Sequence, residues 1–329
     1  MSVNKLFCLL LSLFGITGCP DRDDLFIQTE LQHRSDVFTI SVNSRSQYVE
    51  SYKTIHYVDF TLDQPSLVTV GYHGNIDTYK ISPLSRNIQG KAEQNSISFK
   101  IDKPGYYVVE VNDTEMLAIL ANSAESEEEP PVEKRLNILD YVPDNRGDEL
   151  YTARIQQAIN DVSGSGKILY FPPGVYRTGT LVIGSNTEIY LGKGAVLKGS
   201  ENRDDYPADE NRPEADHLNN KENYTDNGEF MTFSRLLLID NARNVRLYGR
   251  GIIDGSGNIV RAQGKPANLI RMRRSKNIVV ENLILRDPAA WNTHIQYCEN
   301  VTIRNVKILN DPEVANTDGI DPDASVNVL

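Results

Sequence analysis

The residues best suited to chemistry lie near the C-terminal end, in the run Asn316-Thr317-Asp318-Gly319-Ile320-Asp321-Pro322-Asp323. Hydrolysis of a glycosidic bond needs two carboxyl groups facing that bond, about 5 to 9.5 Å apart according to whether the anomeric centre is retained or inverted. Side chains alternate along a strand, so Asn316 and Asp318 are expected on one face, with Thr317 and Gly319 on the other. With Thr317 turned to a core, Asp318 faces solvent and is the candidate catalytic carboxylate; capping a turn is its alternative role. Asp321 and Asp323 flank Pro322 and read as turn caps. Upstream, Trp291 offers a ring that can stack on a sugar and His294 a donor to a hydroxyl, although both residue types also serve as ordinary packing. No glycine-rich phosphate loop, Ser-His-Asp arrangement or Cys/His metal cluster is visible. No cofactor and no metal are therefore expected, and the tandem aspartates alternate faces, which argues against a shared calcium ion.

A carboxylate on a strand is useful only if neighbouring strands hold it beside its partners. An Asn followed by apolar alternation recurs at Asn244-Val245-Arg246-Leu247, Asn277-Ile278-Val279-Val280, Asn300-Val301-Thr302-Ile303 and Asn327-Val328. The steps between the leading residues are 33, 23 and 27 (277−244, 300−277, 327−300), which suits single coils of a right-handed parallel β-helix with inserted loops. Each coil exposes apolar residues that it buries only when the next one stacks about 4.8 Å away. Asn suits the bends because its side chain bonds the backbone and it tolerates left-handed dihedrals. The first coil begins at Lys167-Ile168-Leu169-Tyr170-Phe171 and continues through Leu181-Val182-Ile183 to Ala195-Val196-Leu197. From Glu201 to Glu229 the chain turns polar, as expected of a long loop that walls a cleft or of a disordered surface insertion. A helix at about Glu149 to Val162, with Tyr151, Ile155, Ala158 and Ile159 on one face, is expected to cap the solenoid.

The whole chain reads as all-β. Residues 20–121 carry short alternating strands, among them Val37–Val42, Ile55–Phe60, Leu67–Val70, Ile97–Ile101 and Tyr106–Val111, spaced as in a β-sandwich that supports or binds. Residues 122–135 hold Glu125, Glu127, Glu128 and Glu129 followed by Pro130-Pro131, an acidic linker expected to stay extended and unpacked. Residues 136–329 form the β-helix. Residues 1–19 pair Lys5 and an apolar Leu6–Ile16 core with Thr17-Gly18 before Cys19, which resembles a bacterial lipobox. That implies an exported lipoprotein, tied by lipid on Cys19 to a periplasmic or cell-surface membrane. With Cys8 in the signal and Cys19 acylated, Cys298 stands alone and no intramolecular disulfide is expected. A formal charge of −11 argues against nucleic acid as a partner. A monomer acting on polysaccharide is expected.

From about Leu136 to Leu329 the chain resembles glycoside hydrolase family 28, the polygalacturonases and their relatives. The resemblance is carried by Phe171-Pro172-Pro173-Gly174-Val175-Tyr176, Gly249 to Gly255 with Asp254, the segment from Trp291 to Cys298-Glu299-Asn300-Val301, and above all Asn316-Thr317-Asp318-Gly319. It implies hydrolysis of a pectin-type polysaccharide with inversion, with Asp318 helping to activate water and Asn316 contacting sugar. The family continues with a Gly-Asp-Asp segment holding the general acid, then Gly-His-Gly, then an Arg-x-Lys pair. The 329 residues stop before all three, so a truncated and inactive hydrolase is expected. The N-terminal domain order also looks like glycoside hydrolase family 49, the dextranases and isopullulanases, whose neutral substrates suit the acidic balance. Against that, Arg271, Arg273, Arg274, Lys276, Arg286 and Arg304 offer a positive strip for a uronate polymer. A non-catalytic glycan-binding lipoprotein, or a lyase using calcium and an Arg base, are the readings from other classes.

Overall fold

The computed structural model describes residues 33–124, 128–207, 234–264 and 267–329. Eighteen strands after the N-terminal module wind into a solenoid of three parallel sheets. One sheet, here C, stacks β12 (Arg135–Asn137), β14 (Ile168–Phe171), β17 (Thr187–Leu191), β20 (Arg243–Gly249), β23 (Lys276–Glu281), β26 (Glu299–Arg304) and β29 (Val326–Val328). Sheet D stacks β13 (Arg146–Leu150), β15 (Gly174–Thr178), β18 (Ala195–Gly199), β21 (Ile252–Asp254), β24 (Ile284–Arg286) and β27 (Lys307–Leu309). Sheet E stacks β16 (Leu181–Val182), β19 (Ser234–Asp240), β22 (Ala267–Arg273), β25 (Thr293–Gln296) and β28 (Ile320–Asp323). The chain visits C, D and E in turn, so consecutive strands never pair and every ladder joins one coil to the next in parallel. Alternate residues of each ladder point inward, and Ile189, Leu247, Ile278, Val280, Ile253, Leu285, Met272 and Ile295 merge into a single apolar core.

The repeated Asn is the hinge of each coil. Asn186, Asn244, Asn277, Asn300 and Asn327 all have φ between 55° and 59°, a left-handed conformation that costs most L-residues roughly 1–2 kcal/mol and that Asn tolerates. Their amides form a ladder. Asn244 Nδ2 donates to Asn186 Oδ1 at 2.9 Å, Asn277 to Asn244 at 3.0 Å, Asn300 to Asn277 at 3.1 Å and Asn327 to Asn300 at 3.0 Å. The same side chain thus permits the bend and joins adjacent bends. The helix α1 (Thr152–Val162) buries Ile155, Ala158, Ile159 and Val162 against the first coils.

The N-terminal module holds eleven described strands. One of its sheets orders β1 (His33–Arg34), β4 (Glu50–Tyr52), β5 (Ile55–Thr61), β11 (Glu115–Asn122), β10 (Gly105–Val111) and β7 (Tyr79–Ser82); the other orders β3 (Arg45–Gln47), β2 (Phe38–Val42), β6 (Ser66–Tyr72), β9 (Ser96–Ile101) and β8 (Gly90–Glu93). Pairing is antiparallel except between β5 and β11. Phe38, Val70 and Phe99 from one sheet meet Val58, Val109 and Ile119 from the other in one core. Alternation gives the first sheet a second apolar face, where Tyr57 and Leu120 pack on Val175, Val196, Ile252 and Ile284 of sheet D.

Charges are buried at this junction. Arg286 is 1% exposed and donates to Glu50 Oε1 of the module at 2.6 Å, to Asp254 Oδ2 of the preceding coil at 2.6 Å and to Tyr57 Oη at 3.3 Å. Arg250 pairs with Asp59 and bonds Thr61 Oγ1 at 3.1 Å. Lys307 Nζ, also buried, donates to the Asn282 carbonyl at 3.0 Å. Burial, with the Arg250 charge adding to it, pushes the Lys307 ammonium down to about 7.

The linker departs from expectation. Pro130 is buried, Glu129 Oε1 accepts from Tyr170 Oη at 3.0 Å, and the Arg135 guanidinium lies 4.4 Å from the Tyr170 ring centroid. A row of tyrosines on sheet C gives this segment something to pack on, so its charge density does not keep it in solvent. The signal segment with Lys5 and Cys19, the linker residues Glu125 and Glu127, and the polar loop beyond residue 207 lie outside the described residues.

Two outcomes follow. Asn277→Ala, which forces Ala into the left-handed region, is expected to destabilise the protein by about 1 kcal/mol more than Asn277→Gly, measured by denaturant unfolding; equal losses would remove the backbone argument. An unfolded Lys titrates near 10.4. Between about 7 and that value the unfolded chain binds the extra proton, so stability rises with pH across this window and is level below it. Lys307→Met is expected to flatten that rise and to stabilise the fold more at pH 7 than at pH 10, as read from melting temperatures at both values.

Candidate functional site

Sheet E carries the candidate residues, and its register explains why. Met272, Ile295 and Pro322 are aligned across β22, β25 and β28, and the first two are fully buried in the core. The residues on either side of each point to the opposite face. One row there is Arg271, His294 and Asp321; the next is Arg273, Gln296 and Asp323. Neighbours within a row stand on strands about 4.8 Å apart.

Arg271 is 1% exposed and His294 6%, Asp321 is half-buried, and Asp318 is exposed. Burial raises the Asp321 carboxyl above the ordinary carboxylate range, and the nearby Asp318 charge raises it further. In the second row Gln296 Nε2 donates to Asp323 Oδ2 at 3.0 Å, Arg273 Nη2 to Asp240 Oδ2 at 2.7 Å, and Arg271 Nη2 reaches Gln296 Oε1 at 3.4 Å. Two rings meet beside the row, with Trp291 and His294 edge to face at 4.8 Å between centroids and 74° between planes. Trp291 is half-buried in the turn before β25.

Asp318 is not on a strand. It belongs to the turn before β28, and Asn316 has a left-handed φ of 58°. Alternation therefore does not set the directions of Asn316 and Asp318, although both are exposed. The turn is set by hydrogen bonds from the coil beneath, with Asn292 N donating to the Asp318 carbonyl at 2.8 Å and Thr293 N to that of Gly319 at 3.1 Å. Asp321 and Asp323, read as turn caps in sequence, are strand residues on one face. The one signal that could have found Asp321 is its two-residue offset from Asp323, with Pro322 between them turned to the core row.

The positive strip also resolves differently. Arg271 and Arg273 lie on the face of sheet E, while Arg286 belongs to the buried junction on sheet D. Arg274 bonds Asp240, Lys276 pairs with Glu299 at 2.7 Å, and Arg304 pairs with Glu281 on sheet C. Among the described residues no group of three or more His, Cys, Asp or Glu side chains is arranged to hold a metal ion. Cys298 is buried, with its thiol pushed up by burial and Sγ 3.4 Å from the Gln296 carbonyl, so it packs as a small apolar residue.

The family model described as glycosyl hydrolases family 28 matches residues 218–329. A protein from Vitis vinifera described as a probable polygalacturonase is 29% identical over 203 residues, which are 58% of this chain and 40% of that one. An exo-poly-alpha-D-galacturonosidase of Dickeya chrysanthemi is 36% identical over 133 residues, 38% of this chain and 20% of that one. The chain thus spans less than half the length of these curated relatives. Among solved structures, the family 28 exopolygalacturonase of Yersinia enterocolitica is similar with a TM-score of 0.48 and 19% identity, over 81% of this chain and 61% of that one. The match to the family 28 model falls on residues 218–329, the coils that carry Asp318, and it is there that the chain is similar to polygalacturonases.

Proposed function

We propose that this protein takes part in hydrolysis of glycosidic bonds in a pectin-type polysaccharide, by inversion, with Asp318 as the carboxylate that draws a proton from the attacking water. The observation that carries the reading is that Asp318 lies in the turn leading into β28, near the outward-facing Asp321, whose carboxyl burial and the Asp318 charge hold above the ordinary range. Two adjacent carboxyls resist ionising together. The Asp318 charge raises the Asp321 carboxyl, so of the two it is Asp318 that this reading assigns as the base. Asn316, exposed in the same turn, is the sugar contact in this reading. His294, within the row, and Trp291, beside it, are weaker contacts. Arg271, in the row that ends on Asp321, adds positive charge to this face and favours an acidic sugar over a neutral glucan.

The remaining parts serve that site. The N-terminal module acts as a β-sandwich that braces sheet D, and α1 closes the first coil. Lipid on Cys19 holds the protein at a bacterial membrane, where the polymer is reached from outside the cytoplasm.

A substrate whose leaving group needs no proton isolates the part played by Asp318. On α-D-galacturonyl fluoride, fluoride release is expected from the parent protein, and Asp318→Asn is expected to slow it by roughly 10²- to 10⁴-fold. α-D-Glucosyl fluoride should be turned over more slowly. Equal rates for parent and Asp318→Asn would remove Asp318 from the chemistry, and preference for the glucosyl fluoride would move the reading to neutral glucans. Absence of any release above the spontaneous rate would leave only a glycan-binding role.

A further inference from the structure

Asp318 sits in the connection between β27 and β28, where a loop has no ladder of its own to fix it. Asn292, from the coil below, is 0% exposed, and a buried amide is costly unless its polar atoms are satisfied. Its Nδ2 donates to Asn310 Oδ1 at 3.0 Å, its Oδ1 accepts from Thr293 Oγ1 at 3.1 Å, and its backbone N–H donates to the Asp318 carbonyl at 2.8 Å. Asn310 then passes the contact on, since its Nδ2 donates to the carbonyl of Thr317, the residue before Asp318. Thr317 Oγ1 in turn donates to the Val314 carbonyl at 2.9 Å. The far end of the loop has a separate tie, Asn258 Nδ2 to Asp311 Oδ2 at 2.9 Å.

We propose that Asn292 and Asn310 are positioning residues that fix the Asp318 carboxylate against Asp321 through the Thr317 carbonyl. An apolar residue would fill the space at 292 without the desolvation cost of an amide. What the amide adds is a directional bond to Asn310, and through it to the peptide unit that joins Thr317 to Asp318. Asn258 anchors the loop seven residues earlier and leaves that peptide unit untouched. The value of the relay for catalysis rests on Asp318 being the working base; the geometry it fixes does not.

The test reads that geometry without turnover. Carboxyl ¹³C NMR of the full chain follows the Asp321 titration, with and without Asp318→Asn, in the parent and in each Asn variant. In the parent, Asp318→Asn is expected to lower the Asp321 midpoint as the neighbouring charge is lost. In Asn310→Ala and Asn292→Leu that drop is expected to shrink to less than about a third of its parental size, because distance weakens the coupling. In Asn258→Ala it should persist. A parental drop in Asn310→Ala overturns the proposal, and so does an equal loss in Asn258→Ala, which would mean that any loosening of the loop has the same effect. Asn310 lies in a half-exposed loop, so Asn310→Ala keeps the test available if Asn292→Leu does not fold. Since no substrate is used, failure here is separate from failure to release fluoride.

Discussion

Everything at the site depends on the register of one coil on the next. In a parallel ladder side chains alternate with a period of two, so a slip of one residue between β25 and β28 would exchange Pro322 for Asp321 in the core row. The ladder bonds alone do not exclude such a slip, because every backbone pair resembles the next. The Asn stack does. Each of its amides bonds the equivalent amide one coil away, and each occupies a left-handed bend that few other residues fill. The stack therefore converts a uniform solenoid into one with a marked origin in every turn. The outward direction of His294, Gln296, Asp321 and Asp323 is a consequence of that origin.

The same device explains what was legible in the amino-acid sequence. A residue required by local backbone geometry recurs at the coil period, so the Asn series and the parallel coils could be read directly. Strand alternation failed for Asn316 and Asp318 because the turn there is shaped by Asn292, Asn310 and Thr317, whose contacts are not periodic. Arg286 was equally unreadable. It sits in a strand like other solenoid arginines, and its meaning comes from Glu50, 236 residues earlier in the chain. The acidic linker misled for a related reason, since Tyr170, Tyr190 and Tyr248 line up as a packing surface only after three coils have stacked.

A three-sided solenoid presents three outer faces, and each must be dealt with. Sheet D is apolar on the outside at Val175, Val196, Ile252 and Ile284, and the N-terminal module covers it. Burying Arg286, Arg250 and Lys307 in that contact is costly, and charge pairing offsets the cost for the two arginines. Sheet C carries its tyrosine row over β14, β17 and β20, with the Arg135 guanidinium laid on Tyr170. Sheet E differs from both, since its outer rows are built from Arg, His, Gln and Asp. Polar side chains on a face gain nothing from apolar cover. The field that a bound ligand meets there is dominated by charges within about 8–10 Å, so the residues of sheet E weigh more in it than the net charge of −11 does.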